Sequence, residues 1–165
     1  MSFSKPALDP FCSLAPARQL KNQGAAHVVN SSDGDFEKTL AEAIGATGAF
    51  IGFDPIGGGK TTDTCLRAME RVAAKDMDEY SRYGSNKQKK MYIYGRLDLG
   101  ATVLSPSYGF GWTLSGWLLT PFLQNAGMET VMRMRKRVLD NLTTTFKSDY
   151  AKTVTLEGML EKDAV

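Results

Sequence analysis

Histidine and cysteine are scarce in this chain: its 165 residues hold one histidine, His27, and two cysteines, Cys12 and Cys65. A zinc centre wants three or four Cys, His or carboxylate ligands at matched spacing, so no metal site is expected. His27, between Ala26 and Val28, reads as a hydrogen-bonded structural imidazole. Two cysteines build no disulfide framework, and with no sign of secretion the expectation is reduced thiols and a cytoplasmic protein. An excess of one charge is lacking as well. Twenty Lys and Arg against 18 Asp and Glu leave a net charge of +2, too little to argue for nucleic acid or an anionic membrane as partner. The one basic cluster, Lys87-Gln88-Lys89-Lys90, has no interleaved aromatic residue and reads as a solvated loop before a strand. The longest apolar stretch, Trp112–Leu123, is broken by Thr113, Ser115, Gly116, Thr120 and Pro121. It is too short to span a bilayer and reads as part of a buried helix. Met1–Pro16 has no apolar core of signal-peptide length and reads as an irregular lead-in with three prolines.

A self-contained catalytic centre is also missing. Cys65 falls on an inward helical position, where packing outweighs reactivity. Ser85 and Ser115 have no histidine near them in sequence, and Asp76 and Asp78 lie in a solvated stretch. No catalytic residue is assigned.

What is present is an alternation of strand and helix patterns. Ala17–Gln23 reads as a short helix ended by Gly24, and Ala25–Asn30 as a short strand closed by turn-formers up to Gly34. Phe36, Leu40, Ala43 and Ile44 share one helical face, with Ser32 and Asp35 as its cap and Gly45 and Gly48 as its end. The strand Ala49–Phe53 runs into Asp54-Pro55-Ile56-Gly57-Gly58-Gly59-Lys60-Thr61-Thr62, a glycine turn whose threonines are placed to cap the next helix. Cys65, Met69, Val72 and Ala73 are that helix's inner face. Met91–Gly95 is a second buried strand, and Leu97–Gly109 is extended or looped. Gly111–Gln124 reads as an apolar helix, and Met128–Thr145 as an amphipathic one with Val131, Met134, Val138 and Leu142 inward. Thr153–Leu156 as a strand and Glu157–Lys162 as a short helix finish the chain. Such alternation predicts an α/β fold, a parallel sheet with flanking helices, in one domain over 17–165.

The turn after Phe53 nearly matches a phosphate-binding P-loop. Asp54, however, takes the place of its first glycine, and Pro55 removes a backbone donor. The alternating-glycine fingerprint of a dinucleotide site is absent before Gly24. Asp54–Gly58 and Tyr94-Gly95-Arg96 do put glycines at the carboxyl ends of strands, where ligands of open α/β sheets bind. Structural turns account for those glycines as well as a ligand does.

Three stretches, Gln19–Asn30, Ala49–Gly58 and Tyr92–Gly95, resemble in sequence and spacing the nucleotide-binding domain of the medium-chain dehydrogenase/reductases, in the quinone oxidoreductase or zinc-type alcohol dehydrogenase-like branch. The resemblance implies an incomplete doubly wound, Rossmann-like parallel sheet, NADPH or NADH as cofactor, and hydride transfer to a quinone, enone or aldehyde. It places Ser31 near the adenosine 2′-phosphate and Asp54, Gly57 and Gly58 along the cofactor. It also puts Tyr94, Gly95 and Arg96 beside the nicotinamide ribose and Leu114 near the ring. The family's catalytic domain, first strand, glycine turn and second strand find no counterpart in this chain. The expectation is therefore a partial reading frame, inactive alone, whose small-molecule substrate belongs to the full-length enzyme. In the order 3-2-1-4-5-6, the Ala49–Phe53 strand is then left with an open edge suited to self-association. A non-catalytic binding or assembly subunit that lends Gly111–Thr145 to a partner is the alternative, and a P-loop protein the next.

Overall fold

Every strand in the computed structural model runs parallel to its neighbours, and the order β1-β2-β3 follows the chain. The structure describes residues 17–105, 107–148 and 153–161, so the lead-in expected over Met1–Pro16 lies outside them. The elements are α1 (residues 17–22), α2 (Phe36–Thr47), β1 (Ile51–Asp54), α3 (Thr61–Lys75), β2 (Lys89–Ile93), β3 (Trp112–Gly116), α4 (Leu119–Asn125) and α5 (Met128–Asp140). A three-stranded parallel sheet flanked by helices is the α/β fold the residue pattern predicted, and an incomplete Rossmann-like one, as the family resemblance implied. The chain divides into two units after Trp117.

In the first unit the sheet has one covered face. Gly52, Met91 and Leu114 are in register across the three strands, and paired residues of parallel strands point to the same side. Met91 meets Leu66, Ala68 and Met69 of α3, Ala41 and Ile44 of α2, and Tyr108 in one buried cluster. Leu114, Trp112, Cys65 and Val72 pack around it. The opposite face carries Ile51 and Phe53, 56% and 58% exposed, with Phe53 stacked on Tyr92 at 5.5 Å between ring centroids. Among the described residues β1 has a strand on one side only.

Several expectations are corrected. Residues 25–30 form no strand; the peptide groups of a strand need a neighbour to bond, and among the described residues none pairs with them. Ser32 does not cap α2, whose N-cap is Asp35 without a side-chain bond. Gly45 does not end that helix, which runs on to Gly48, a left-handed C-cap at φ +64° that suits glycine. Trp112–Gly116 is strand β3 rather than helix: Trp112 and Leu114 alternate inward with period two, and β2 needs a partner on its outer side. Lys89 and Lys90 are not solvated loop but open β2, and Lys89 is fully buried. The N-cap of α3 is Lys60, and the Thr62 hydroxyl turns to Asp54 instead of capping.

In the second unit Pro121 is accommodated in the first turn of α4, where the missing N–H costs no helical bond. Helix α5 stops at Asp140 instead of Thr145 and buries Val131, while Val138 and Leu142 are exposed. Residues 153–156 form no strand, and the expected final helix is a 3₁₀ turn over Gly158–Leu160. Among the described residues no helix is long and apolar enough to cross a membrane.

Candidate functional site

The loops leaving the carboxyl ends of β1 and β2 are joined to one another. Asp54, the last residue of β1 and 2% exposed, turns its carboxylate onto its own loop. Its Oδ1 accepts the backbone N–H of Ile56 at 2.8 Å and of Gly57 at 3.2 Å, and its Oδ2 accepts the Thr62 hydroxyl at 2.6 Å. The concavity of N–H groups that would hold a phosphate in a P-loop is filled by the chain's own anion. That removes the P-loop reading.

Over this loop lies the chain after β2. The amides of Asp98 and Gly59 donate to the carbonyls of Ile56 and Ala101, each at 3.0 Å. Val103 N–H donates back to Gly59 O at 2.9 Å, and the Thr102 hydroxyl bonds Gly57 O. The backbones approach so closely that a Cβ on Gly95 would overlap the Pro55 carbonyl, and one on Gly57, at φ +80°, would sit 2.8 Å from Gly95 O. Gly58 is backed by the Asp98 carboxylate, which also accepts the Gly100 N–H at 2.7 Å. Chain–chain contact accounts for Gly57, Gly58 and Gly95. Tyr94, 49% exposed, and the exposed Arg96 lie open at this end of the sheet, as do Leu97 and Leu99 in the loop that follows.

The structure thus brings Asp54, Gly57, Gly58, Gly95 and, through Gly95, Tyr94 and Arg96 to one end of the sheet. Leu114 is elsewhere, on the covered face among the core side chains. Ser31 stands in an exposed turn whose bonds are local: Asn30 Oδ1 accepts the Ser32 N–H at 3.0 Å, and Asn30 Nδ2 donates to Asp33 at 2.9 Å. Among the described residues no group of three or more His, Cys, Asp and Glu could hold a metal ion.

Two buried polar clusters escaped the residue pattern. Asp63, in the first turn of α3, accepts bonds from Ser105 N–H at 2.7 Å, Ser105 O–H at 2.6 Å and the Tyr108 hydroxyl. Arg67 Nε lies 3.1 Å from its other oxygen, an ion pair rather than an aligned hydrogen bond. Burial pushes the Asp63 carboxyl up, but the bonds from Ser105 and Tyr108 and the Arg67 charge outweigh it and hold the carboxyl below its ordinary range. Burial, together with the Asp63 charge, pushes the Tyr108 phenol up to about 12.

The second cluster is Glu70, Ser85 and Lys89. Lys89 Nζ, with no exposed surface, lies 2.7 Å from Glu70 Oε2, 3.0 Å from Ser85 Oγ and 2.6 Å from Lys87 O. Ser85 donates its N–H to Glu70 Oε1 at 2.7 Å and its hydroxyl to Oε2 at 2.6 Å. Burial raises the Glu70 carboxyl, and the bonds from Lys89 and Ser85 more than reverse it, leaving the carboxyl below its ordinary range. The sequence did carry a signal. Leu66, Glu70 and Ala73 share a helical face, and Lys89 is two residues before Met91 on one strand face, so opposite charges both pointed inward.

No family model and no curated protein matches the chain. Among solved structures it is similar to a protein assigned as an NADPH:quinone reductase from Mesorhizobium loti. That match has 27% identity and a TM-score of 0.52, and covers 75% of this chain and 31% of that one. It is also similar to the mitochondrial 2-enoyl thioester reductase heterodimer of Candida tropicalis, at 20% identity and a TM-score of 0.56, over 92% of this chain and 37% of that one. A mutant reductase in complex with NADP and crotonyl-CoA matches at 21% identity and a TM-score of 0.53, again over 92% and 37%. The chain spans about a third of the length of these structures.

Proposed function

We propose that this chain, whose fold resembles that of the medium-chain dehydrogenase/reductases, is the later part of a nucleotide-binding domain in an NADPH-dependent reductase of the quinone or enoyl class. One observation carries the reading. The carboxyl ends of two adjacent parallel strands are locked together by Gly57 and Gly95, and Tyr94 and Arg96 are left open beside them. That is the end of an open α/β sheet where ligands bind. The likeness to reductases described as NADPH-dependent or bound to NADP supports the choice of cofactor.

The residues present fit half of such a cofactor. An exposed aromatic ring and a guanidinium at the rim suit a ribose and an anionic group, while the glycine-rich pyrophosphate turn of such domains has no counterpart among the described residues. When bound, NADPH supplies the hydride. Tyr94, Gly95 and Arg96 line its ribose, and Gly57 and Gly58 form the wall behind it. Asp54 shapes that wall from within, and Leu114 supports the sheet beneath. Ser31, in its exposed turn, meets the adenosine phosphate.

The open edge of β1 pairs with the remainder of the reductase or, without it, with a second copy of the chain. The chain alone therefore binds NADPH too weakly for turnover, and its substrate is bound with the rest of the enzyme. Fluorescence titration tests this reading. The 165-residue chain is expected to show no saturation at micromolar NADPH. A chimera in which it replaces the matching third of the Mesorhizobium loti protein is expected to bind NADPH and to lose most of that binding with Arg96→Glu. Micromolar binding by the isolated chain, or a chimera indifferent to Arg96, overturns the proposal.

A further inference from the structure

At the amino ends of the strands, where residues 82–85 lead toward β2 and residues 107–111 into β3, there is a cavity of about 230 Å³. It is lined by Glu70 together with Arg82, Tyr83, Gly84, Ser107, Gly109 and Phe110. We propose that this cavity binds a small organic cation carrying an N–H group, such as a primary ammonium head.

The Glu70 carboxylate is an acceptor held in place. Glu70 Oε2 is taken by Lys89 and Ser85, whereas Oε1 accepts a single bond, from the Ser85 amide. A carboxylate oxygen accommodates two donors, which leaves one place at Oε1. Gly84 and Gly109 pack closely beside it, with no side chain between their backbones and the oxygen. A Cβ on Gly84 would stand 2.6 Å from Oε1, and one on Gly109 3.2 Å from it. Both have left-handed backbones, φ +74° and +66°, which a side chain would strain.

Two of the lining residues are aromatic. Tyr83 and Phe110 meet edge to face at 5.8 Å, and they are 62% and 81% exposed. Ring faces attract cations, and this pair shows it already, because the Arg82 guanidinium lies 5.6 Å from the centre of the Tyr83 ring. Arg82 is a stand-in for the ligand, a tethered cation that an entering ammonium displaces into solvent. Lys89 balances the Glu70 charge and Arg82 is the other ionic group of the lining, so the preference for a cation rests on the free place at Oε1 and on the two rings rather than on net charge.

The test is a titration of the full chain with n-butylammonium chloride at constant ionic strength, followed by ¹H–¹⁵N NMR. Saturable shifts confined to the amides of Tyr83, Gly84, Ser85, Gly109 and Phe110 are expected. Phe110→Ala, at an exposed position, weakens binding about fivefold, roughly the worth of one cation–π contact. Arg82→Ala tightens binding by a similar factor, because the internal competitor is gone. Three results overturn the proposal: shifts that do not saturate, equal binding of n-butanol, or an affinity that neither variant changes. All three can be read whether or not the chain binds NADPH.

Discussion

Replacing Lys89 by methionine tests whether the buried Glu70–Lys89 pair holds α3 to β2. The ammonium has no exposed surface, and its removal leaves the Glu70 carboxylate, with a side chain 11% exposed, without its counter-ion. Breaking a buried pair from one side costs about 3–5 kcal/mol. The two bonds from Ser85 survive the change, which places the expectation at the low end, about 3 kcal/mol. With a urea slope of roughly 2 kcal/mol per molar, the midpoint of unfolding followed by circular dichroism falls by about 1.5 M. The double variant Glu70→Gln/Lys89→Met strands no charge and is expected to recover at least about half of the loss. The pH dependence gives the sign independently. In the native chain the Glu70 carboxyl is held below its ordinary value of 4.5, so its stabilisation is full above that value and is lost as pH falls through the folded-state value. In Lys89→Met the carboxyl loses the lowering due to Lys89 and is less depressed than in the native chain, so the native advantage fades and the deficit shrinks on acidification. A midpoint within about 0.3 M of the native one, where roughly 0.6 kcal/mol separates them, refutes the reasoning. A deficit that grows as pH falls does so too.

Gly95→Ala drives a methyl group into the Pro55 carbonyl and is expected to cost roughly 2–3 kcal/mol in urea unfolding; a loss below about 0.5 kcal/mol shows that the two loops can separate freely. The Tyr108 phenol, raised from 10.0 to about 12, keeps its full contribution below pH 10 and loses it as pH rises toward 12. Stability therefore drops by roughly 2–3 kcal/mol across that window. Tyr108→Phe removes that part of the slope, and an unchanged alkaline profile in the variant counts against the buried phenol. Burial, with the Asp54 charge, pushes the Cys65 thiol up to about 11. In a Cys12→Ser background Cys65 is expected to react with a disulfide reagent at pH 8 only on unfolding, and labelling at the rate of a free thiol contradicts its placement.

How much of the fold the sequence discloses depends on where each segment finds its partners. α2, α3, β1 and β2 are legible because part of their apolar periodicity matches the face they bury: Ile44 on α2, Met69 and Ala73 on α3, Met91 on β2, while Ala41 and Leu66 are buried outside that pattern. β3 is hidden by Leu118, Leu119 and Phe122, whose helical residues follow the strand directly and make Gly111–Gln124 read as one apolar helix. The stretch Ala25–Asn30 fails in the other direction. Its β-branched residues favour a strand, but strand formation is a property of a pair, and among the described residues no neighbour lies beside it. Lysines in a row suggest solvent at Lys89, and only the strand register with Met91 reveals that this one points inward, to a carboxylate four residues beyond Leu66.

The glycine turn after β1 is legible in the sequence, but its bonding is not. A run of glycines after a strand offers backbone N–H groups to an anion, and composition does not say whose anion it is. The answer lies in spacing. Asp54 precedes its donors, Ile56 and Gly57, by two and three residues, the interval at which an aspartate side chain folds back on its own backbone. An aspartate at the end of a strand, two residues ahead of a glycine-rich turn, thus satisfies the turn internally and leaves no cradle for phosphate. Gly57 and Gly95 are then required by the crossing of two backbones, and Gly58 lies against the Asp98 side chain. In the proposed reading a ligand at this end of the sheet is held by exposed groups beside the crossing, Tyr94 and Arg96 among them, which is why a charge reversal at Arg96 rather than a glycine substitution separates binding from folding.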